Sequence, residues 1–215
     1  MDNLEQRNEI LLAVHDLEEK GFNHGSSGNV SMRCGSGILI TPTGCNASTL
    51  TPEGVVVLGP DDQVVGDGVP SSEWHMHASI LRAFPHVNAV VHTHADACVA
   101  LSCLGMPLPA FHYMVAAFGG SDVRCAKYAT FGTADLAASA VEALDGRTAC
   151  LLANHGMIAI GATLKAACDA TIKLETLARQ YLLAKQGGTP VILPEDEMAR
   201  VRERYKTYGR GRIAS

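Results

Sequence analysis

No stretch of the chain approaches the ~18 uninterrupted apolar residues that a membrane-spanning helix needs. The opening residues, MDNLEQRNEI, bring early acidic side chains and no apolar signal-peptide core, so a soluble, cytoplasmic protein is expected. Paired cysteines are missing too. The seven cysteines, at 34, 45, 98, 103, 125, 150 and 168, are scattered, odd in number and contain no C-x-x-C. They argue against a cysteine zinc site and read as reduced, mostly buried small hydrophobes. Neither a G-x-x-x-x-G-K-[ST] loop nor a Rossmann glycine fingerprint occurs. Excess positive charge is also lacking: formal net charge is −5 and the pI is near 6.0. That speaks against a nucleic-acid partner, which normally meets a basic face. Small anionic substrates stay open, because a local positive centre such as a metal outweighs a mildly negative surface.

What is present suits one large core. Of 215 residues, 47% are hydrophobic and 18% charged, which predicts a single domain over residues 1–215 and no disordered region. Ile10, Leu11, Val14 and Leu17 recur at helical spacing within residues 4–20, and Gly21 follows as a stop. Strands are expected at 29–33, 38–41, 55–58 and 89–94. A helix should start at Ser71 or Ser72 and end before Pro85, and Asp96 should cap a short helix ending at Gly105. Thr133 should cap a helix to about Leu144. Apolar runs at 149–153 and 157–160 flank Asn154–His155–Gly156 and predict a hairpin. Thr163 opens the longest helix, to about Gln186, and a last helix covers about 195–205. Helices mixed with hairpin-like strands predict α/β layers around a sheet that is at least partly antiparallel.

Two His-x-His pairs stand out. His75 and His77 fall in the expected helix, where two positions turn about 200° around the axis, so they cannot easily share an ion and read as surface or packing histidines. His92 and His94 fall in an expected strand, where the period of two puts both imidazoles on one face. Imidazole nitrogen is a favoured zinc ligand, and catalytic zinc usually takes three protein ligands plus an open position. His155, in a tight turn, is the natural third. Glu73 then becomes a candidate base or movable fourth ligand. For phosphate, Ser71 and Ser72 offer hydroxyls and backbone N–H groups at a helix start, although they could equally serve only as caps. Thr43–Gly44 and Gly28–Asn29 supply turns in which backbone N–H groups approach closely.

The segments GSSGNVS (25–31), ITPTG (40–44), PSSEWHMH (70–77), AVVHTHA (89–95), HYMVAAFGG (112–120), YATFGT (128–133), NHGMIA (154–159) and YKTYG (205–209) run in order over nearly the whole chain. Together they resemble the class II aldolase family of short sugar-phosphate enzymes. The resemblance implies a three-layer αβα sandwich around a mixed, largely antiparallel sheet, assembled as a homotetramer with sites between subunits. It implies one zinc ion per subunit on His92, His94 and His155, with Glu73 as acid/base and as fourth metal ligand when substrate is absent. Asn29, Thr43, Gly44, Ser71 and Ser72 would hold the phosphate. Tyr113, from a neighbouring subunit, and Tyr208, on the C-terminal tail, would serve the aldehyde end.

The implied reaction is reversible cleavage of a ketose 1-phosphate to dihydroxyacetone phosphate and a small aldehyde. The substrate would be L-fuculose 1-phosphate, or 5-deoxy- or 5-methylthio-ribulose 1-phosphate in nucleoside salvage, chosen by a side pocket near Phe131 and the tail. No lysine Schiff base is needed, which leaves Lys127 and Lys173 as solvated or structural residues. Pentulose-5-phosphate 4-epimerases of the family resemble it in the metal histidines but carry a catalytic aspartate near the segment His112–Tyr113–Met114. Family dehydratases acting on methylthioribulose 1-phosphate share the three histidines and the glutamate, whereas the non-catalytic adducin head lacks the metal set.

Overall fold

The computed structural model describes residues 3–207. In chain order the elements are α1 (Leu4–Glu19), β1 (Asn29–Cys34), β2 (Gly37–Ile40), β3 (Val56–Leu58), β4 (Val64–Val65), α2 (Trp74–Ala83), β5 (Ala89–Thr93) and α3 (Asp96–Cys103). A 3₁₀ helix (Tyr113–Phe118) follows, then β6 (Cys125–Ala126), α4 (Ala134–Leu144), β7 (Ala149–Leu152), β8 (Gly156–Gly161), α5 (Leu164–Gly187) and α6 (Glu195–Tyr205). The strands form one eight-stranded sheet in the order β4-β3-β2-β1-β5-β8-β7-β6. Every ladder is antiparallel except β6–β7.

The period of two along the strands sorts their side chains onto two faces. Val90 of β5, Cys150 and Leu152 of β7, and Ile158 and Ile160 of β8 pack with Met76, Ile80 and Leu81 of α2 and Leu136 and Ala140 of α4. Alternate residues face the other way. Ala89 and Val91 meet Ile10 and Leu17 of α1 and Leu164 of α5, while Leu151 and Met157 meet Leu101 of α3 and Leu174 and Leu177 of α5. Helices thus cover both faces, which is the αβα sandwich around a mixed, largely antiparallel sheet that the family resemblance implies. Because β5 is central it is buried on both sides, and His92 shares the face of Val90, towards α2.

Several boundaries differ from expectation. Helix α2 begins at Trp74, with Glu73 at its N-cap position, instead of at Ser71 or Ser72. The N–H of Ser71 donates to Thr41 O at 3.0 Å, and Pro70 bridges to Pro42. This pairing keeps the chain extended up to Ser71, and a turn closed by the Trp74 N–H on the Ser71 carbonyl at 3.0 Å then leads into the helix. His94 lies just beyond β5 instead of inside it. Thr133 and Thr163 do cap α4 and α5, accepting from the N–H groups of Leu136 and Ala166. The thiols are less buried than expected: Cys98 and Cys150 are buried, Cys103 is exposed, and the other four are half-buried.

Candidate metal centre and active-site cleft

The sequence signals at Glu73, His92, His94 and His155 converge. One ligand atom from each of these four residues lies within 4.8 Å of the others. The imidazole centroids of His92 and His94 are 4.8 Å apart, as are those of His92 and His155, and those of His94 and His155 are 5.0 Å apart. Three elements deliver them. His92 is the penultimate residue of β5 and His94 follows the strand. His155 sits in the loop of the β7–β8 hairpin, beside Asn154, whose φ of 55° turns the chain tightly. Glu73 arrives at the start of α2, from the layer above the same face.

The hairpin brings His155 close only because residue 156 is glycine. A Cβ at Gly156 would lie 2.5 Å from the Thr93 carbonyl oxygen, and 3.3 and 3.4 Å from the rings of His94 and His92. Asn23 also supports the site, although no periodic pattern in the sequence points to it. It is buried, accepts the His94 N–H at 3.3 Å, and packs where a side chain at Gly28 would stand.

The donor chemistry fits a divalent cation. The N–H at Nδ1 of His92 donates to the Met157 carbonyl at 2.9 Å, which leaves the Nε2 lone pair facing the cluster. That Nε2 lies 2.9 Å from His94 Nε2 and 3.1 Å from Glu73 Oε2. Nitrogen lone pairs and a carboxylate aimed at one point repel unless a positive charge lies between them. Glu73 Oε1 is buried without a hydrogen-bond partner, with His155 Nε2 at 3.4 Å. Burial, with His92 and His155 adding to it, pushes His94 down to about 4. Burial and His92 push His155 down to about 4 as well. Both are therefore neutral at pH 7, as metal ligands must be. Burial alone would raise the Glu73 carboxyl; positive charge at the histidine side, which His92 and His155 supply only when protonated, and the Asn29 amide N–H hold it well below the usual carboxylate range.

The cluster forms one end of an open cleft of about 410 Å³. Ser26, Ser27, Gly28 and Asn29 line one wall, Thr43 and Gly44 another, and Ser71 and Ser72 a third. No lysine or arginine lines it among the described residues. The backbone N–H groups of Thr43 and Ser71 are already committed to Val69 O and Thr41 O, so these residues offer the cleft their hydroxyls. Tyr128 and Phe131, each 65% exposed, stand at its rim.

Comparison with known proteins bears on what this arrangement does. The model of the class II aldolase and adducin N-terminal domain family matches residues 8–182. The chain belongs to the class II aldolase family. A 5-methylthioribulose-1-phosphate/5-deoxyribulose-1-phosphate aldolase of Rhodospirillum rubrum is 51% identical over 203 residues, 94% of this chain and 92% of that protein. An L-fuculose phosphate aldolase of Escherichia coli O6:H1 is 42% identical over 209 residues, 95% of this chain and 97% of that protein. A solved L-fuculose 1-phosphate aldolase superposes with a TM-score of 0.89 at 38% identity, over 93% of this chain and 95% of that one.

This class II aldolase is thus a lyase, and its remaining site candidates divide. Asn29 lies in the cleft wall, but its amide is spent on Glu73 and His77. Tyr113 is half-exposed and lines a different cavity, with Lys173, Arg204 and Tyr205, away from the Glu73 of its own chain. Tyr208 falls outside the described residues. Lys127 is exposed and Lys173 half-buried. His75 is exposed and stacks on Trp74, whereas His77 is fully buried beside the metal set without joining it. No helix among the described residues is long and apolar enough to cross a membrane.

Proposed function

We propose that the chain is a zinc-dependent aldolase that cleaves 5-deoxyribulose 1-phosphate and 5-methylthioribulose 1-phosphate to dihydroxyacetone phosphate and acetaldehyde or methylthioacetaldehyde. The convergence of Glu73 with His92, His94 and His155 at the end of a hydroxyl-lined cleft carries this reading. Three imidazoles and a carboxylate match the ligand preference of zinc better than that of magnesium or calcium. A bound zinc ion supplies a Lewis acid for the negative charge that builds on the ketose carbonyl oxygen as the C–C bond breaks.

The protein supplies the rest. His92, His94 and His155 hold the ion, with Glu73 able to act as fourth ligand. Glu73 moves the proton at the carbon freed by cleavage, since its buried Oε1 has no competing hydrogen bond. Thr43, Ser71 and Ser72 present hydroxyls to the phosphate, with Gly44 letting the backbone come close and Asn29 lying between phosphate and base. Phe131 and Tyr128 at the rim are placed to meet the apolar end of the aldehyde. Tyr113, exposed and away from the cleft of its own chain, would serve the cleft of a neighbouring copy in a homotetramer with shared sites. With Tyr208 it would serve the aldehyde oxygen. The free thiols suit a cytoplasmic location.

L-Fuculose 1-phosphate is the second substrate reading, favoured by the 42%-identical relative and the TM-score of 0.89. The substrates differ by a few atoms at the aldehyde end, worth about 1–3 kcal/mol of discrimination per methylene. A panel of ketose 1-phosphates scored by kcat/KM tests the choice. The 5-deoxy and 5-methylthio compounds should exceed L-fuculose 1-phosphate by roughly tenfold or more. The reverse ranking would transfer the assignment to L-fuculose 1-phosphate.

A further inference from the structure

Behind Glu73 lies a buried chain of hydrogen bonds that the cleavage chemistry has not used. Asn29 Nδ2 donates to Glu73 Oε2 at 3.0 Å, Asn29 Oδ1 lies 2.5 Å from His77 Nε2, and His77 Nδ1 lies 2.7 Å from Ser31 Oγ. His77 and Ser31 have no exposed surface, and Asn29 and Glu73 each retain 6%. The elements make this meeting natural. Asn29 and Ser31 alternate on one face of β1, and Glu73 and His77 are four residues apart at the start of α2.

We propose that His77 is a positioning residue which, through Asn29, fixes the orientation of the Glu73 carboxylate. The inference rests on the reading of Glu73 as acid/base. An ionised carboxylate only accepts hydrogen bonds, so Asn29 must turn its NH₂ towards Glu73 and its carbonyl oxygen towards His77. That oxygen needs a donor, so Nε2 of His77 carries the hydrogen. Nδ1 is then bare and accepts from the Ser31 hydroxyl. Reversing any member sets two acceptors face to face in a buried site, which is costly. The chain therefore has one self-consistent direction. Its result is asymmetric: the Asn29 N–H holds Oε2, and Oε1 is the oxygen turned towards His155 Nε2, 3.4 Å away. The carboxylate cannot rotate to exchange the two oxygens without breaking the Asn29 bond.

Long-range ¹H–¹⁵N NMR on the zinc-loaded protein reads the tautomer directly, with the His77 signals assigned by their loss in His77→Gln. The expected spectrum shows a protonated Nε2 and a bare Nδ1; the opposite tautomer overturns the proposal. Exchange of the C3 proton of dihydroxyacetone phosphate into solvent reads the function. His77→Leu should slow it by on the order of 10²-fold, the scale of a small misplacement of a reacting group, with zinc content unchanged. His77→Gln places an amide N–H near the Nε2 position and should recover most of the lost rate. Equal loss in both variants would mark a merely structural role and overturn the proposal, as would a parent rate in His77→Leu while Glu73→Gln is slow. If Glu73→Gln itself exchanges at the parent rate, the base assignment fails first and takes this inference with it. Should His77→Leu fail to fold, the tautomer decides.

Discussion

Glu73 is proposed both as a metal ligand and as the base, and a single isosteric change separates the two roles. Glu73→Gln keeps the size and removes the basic oxygen, while the three histidines that could hold the ion remain. The variant should retain stoichiometric zinc and still bind dihydroxyacetone phosphate. Loss of a general base typically costs ~10²–10⁴-fold, so C3 proton exchange should slow by at least about a hundredfold. Metal analysis beside the exchange assay checks both halves. Zinc lost together with exchange would make Glu73 a ligand first. His75→Ala serves as the control, because its ring lies on the surface against Trp74 and should alter neither measurement.

At the scale of elements, the site depends on how closely the β7–β8 hairpin approaches the end of β5. Thr93 pairs with Met157 and Leu152 with Gly156, so residue 156 is pressed between strand and histidines. Gly156→Ala would set a methyl 2.5 Å from the Thr93 carbonyl oxygen. Overpacking of this kind typically costs about 1–3 kcal/mol, and displaced ligands should weaken zinc binding by about 10–100-fold. Thermal unfolding and a zinc titration would show both effects; parent values in each would mean that the glycine is incidental. The convergence of the candidate metal ligands was legible in the sequence because it follows local rules. A period of two aligns His92 with His94, and an Asn–His–Gly turn lifts His155 out of its hairpin. The ladders of β4 and β6, two residues each, are too short to carry a period. The 3₁₀ stretch YMVAAF is apolar without helical spacing. His77 and Asn23 escaped for another reason: their partners lie 48 and 71 residues away, and a single sequence carries no trace of such meetings. Ser71 does accept the Glu73 N–H on its hydroxyl and the Trp74 N–H on its carbonyl, but these close a turn that precedes the regular helix, so α2 starts later than the two serines suggest.

For the whole molecule, the buried neutral histidines make stability depend on pH. His94 and His155 are held at about 4 and His77 at about 3, against 6.5 in the unfolded chain. As pH falls below 6.5 the unfolded chain takes up protons that the folded one refuses, so stability present above 6.5 is lost towards pH 4. Glu73 acts in the same direction. Its folded value is depressed, so its contribution is present above the ordinary carboxylate range and lost as pH falls through the lower folded value. The urea midpoint of metal-free protein should drop steadily from pH 7 to pH 4, and a flat or rising midpoint would contradict the neutral cluster. Zinc held by the folded cluster, as proposed, should raise the midpoint at pH 7. The same preparation allows the most direct trial of the proposed chemistry. Zinc is titrated into metal-free protein while cleavage of 5-deoxyribulose 1-phosphate is followed. Activity should be absent at the start, rise in proportion to added zinc and level off at one equivalent per chain. Sustained cleavage without metal, or a titration that ends elsewhere, would contradict a single zinc centre built on His92, His94 and His155.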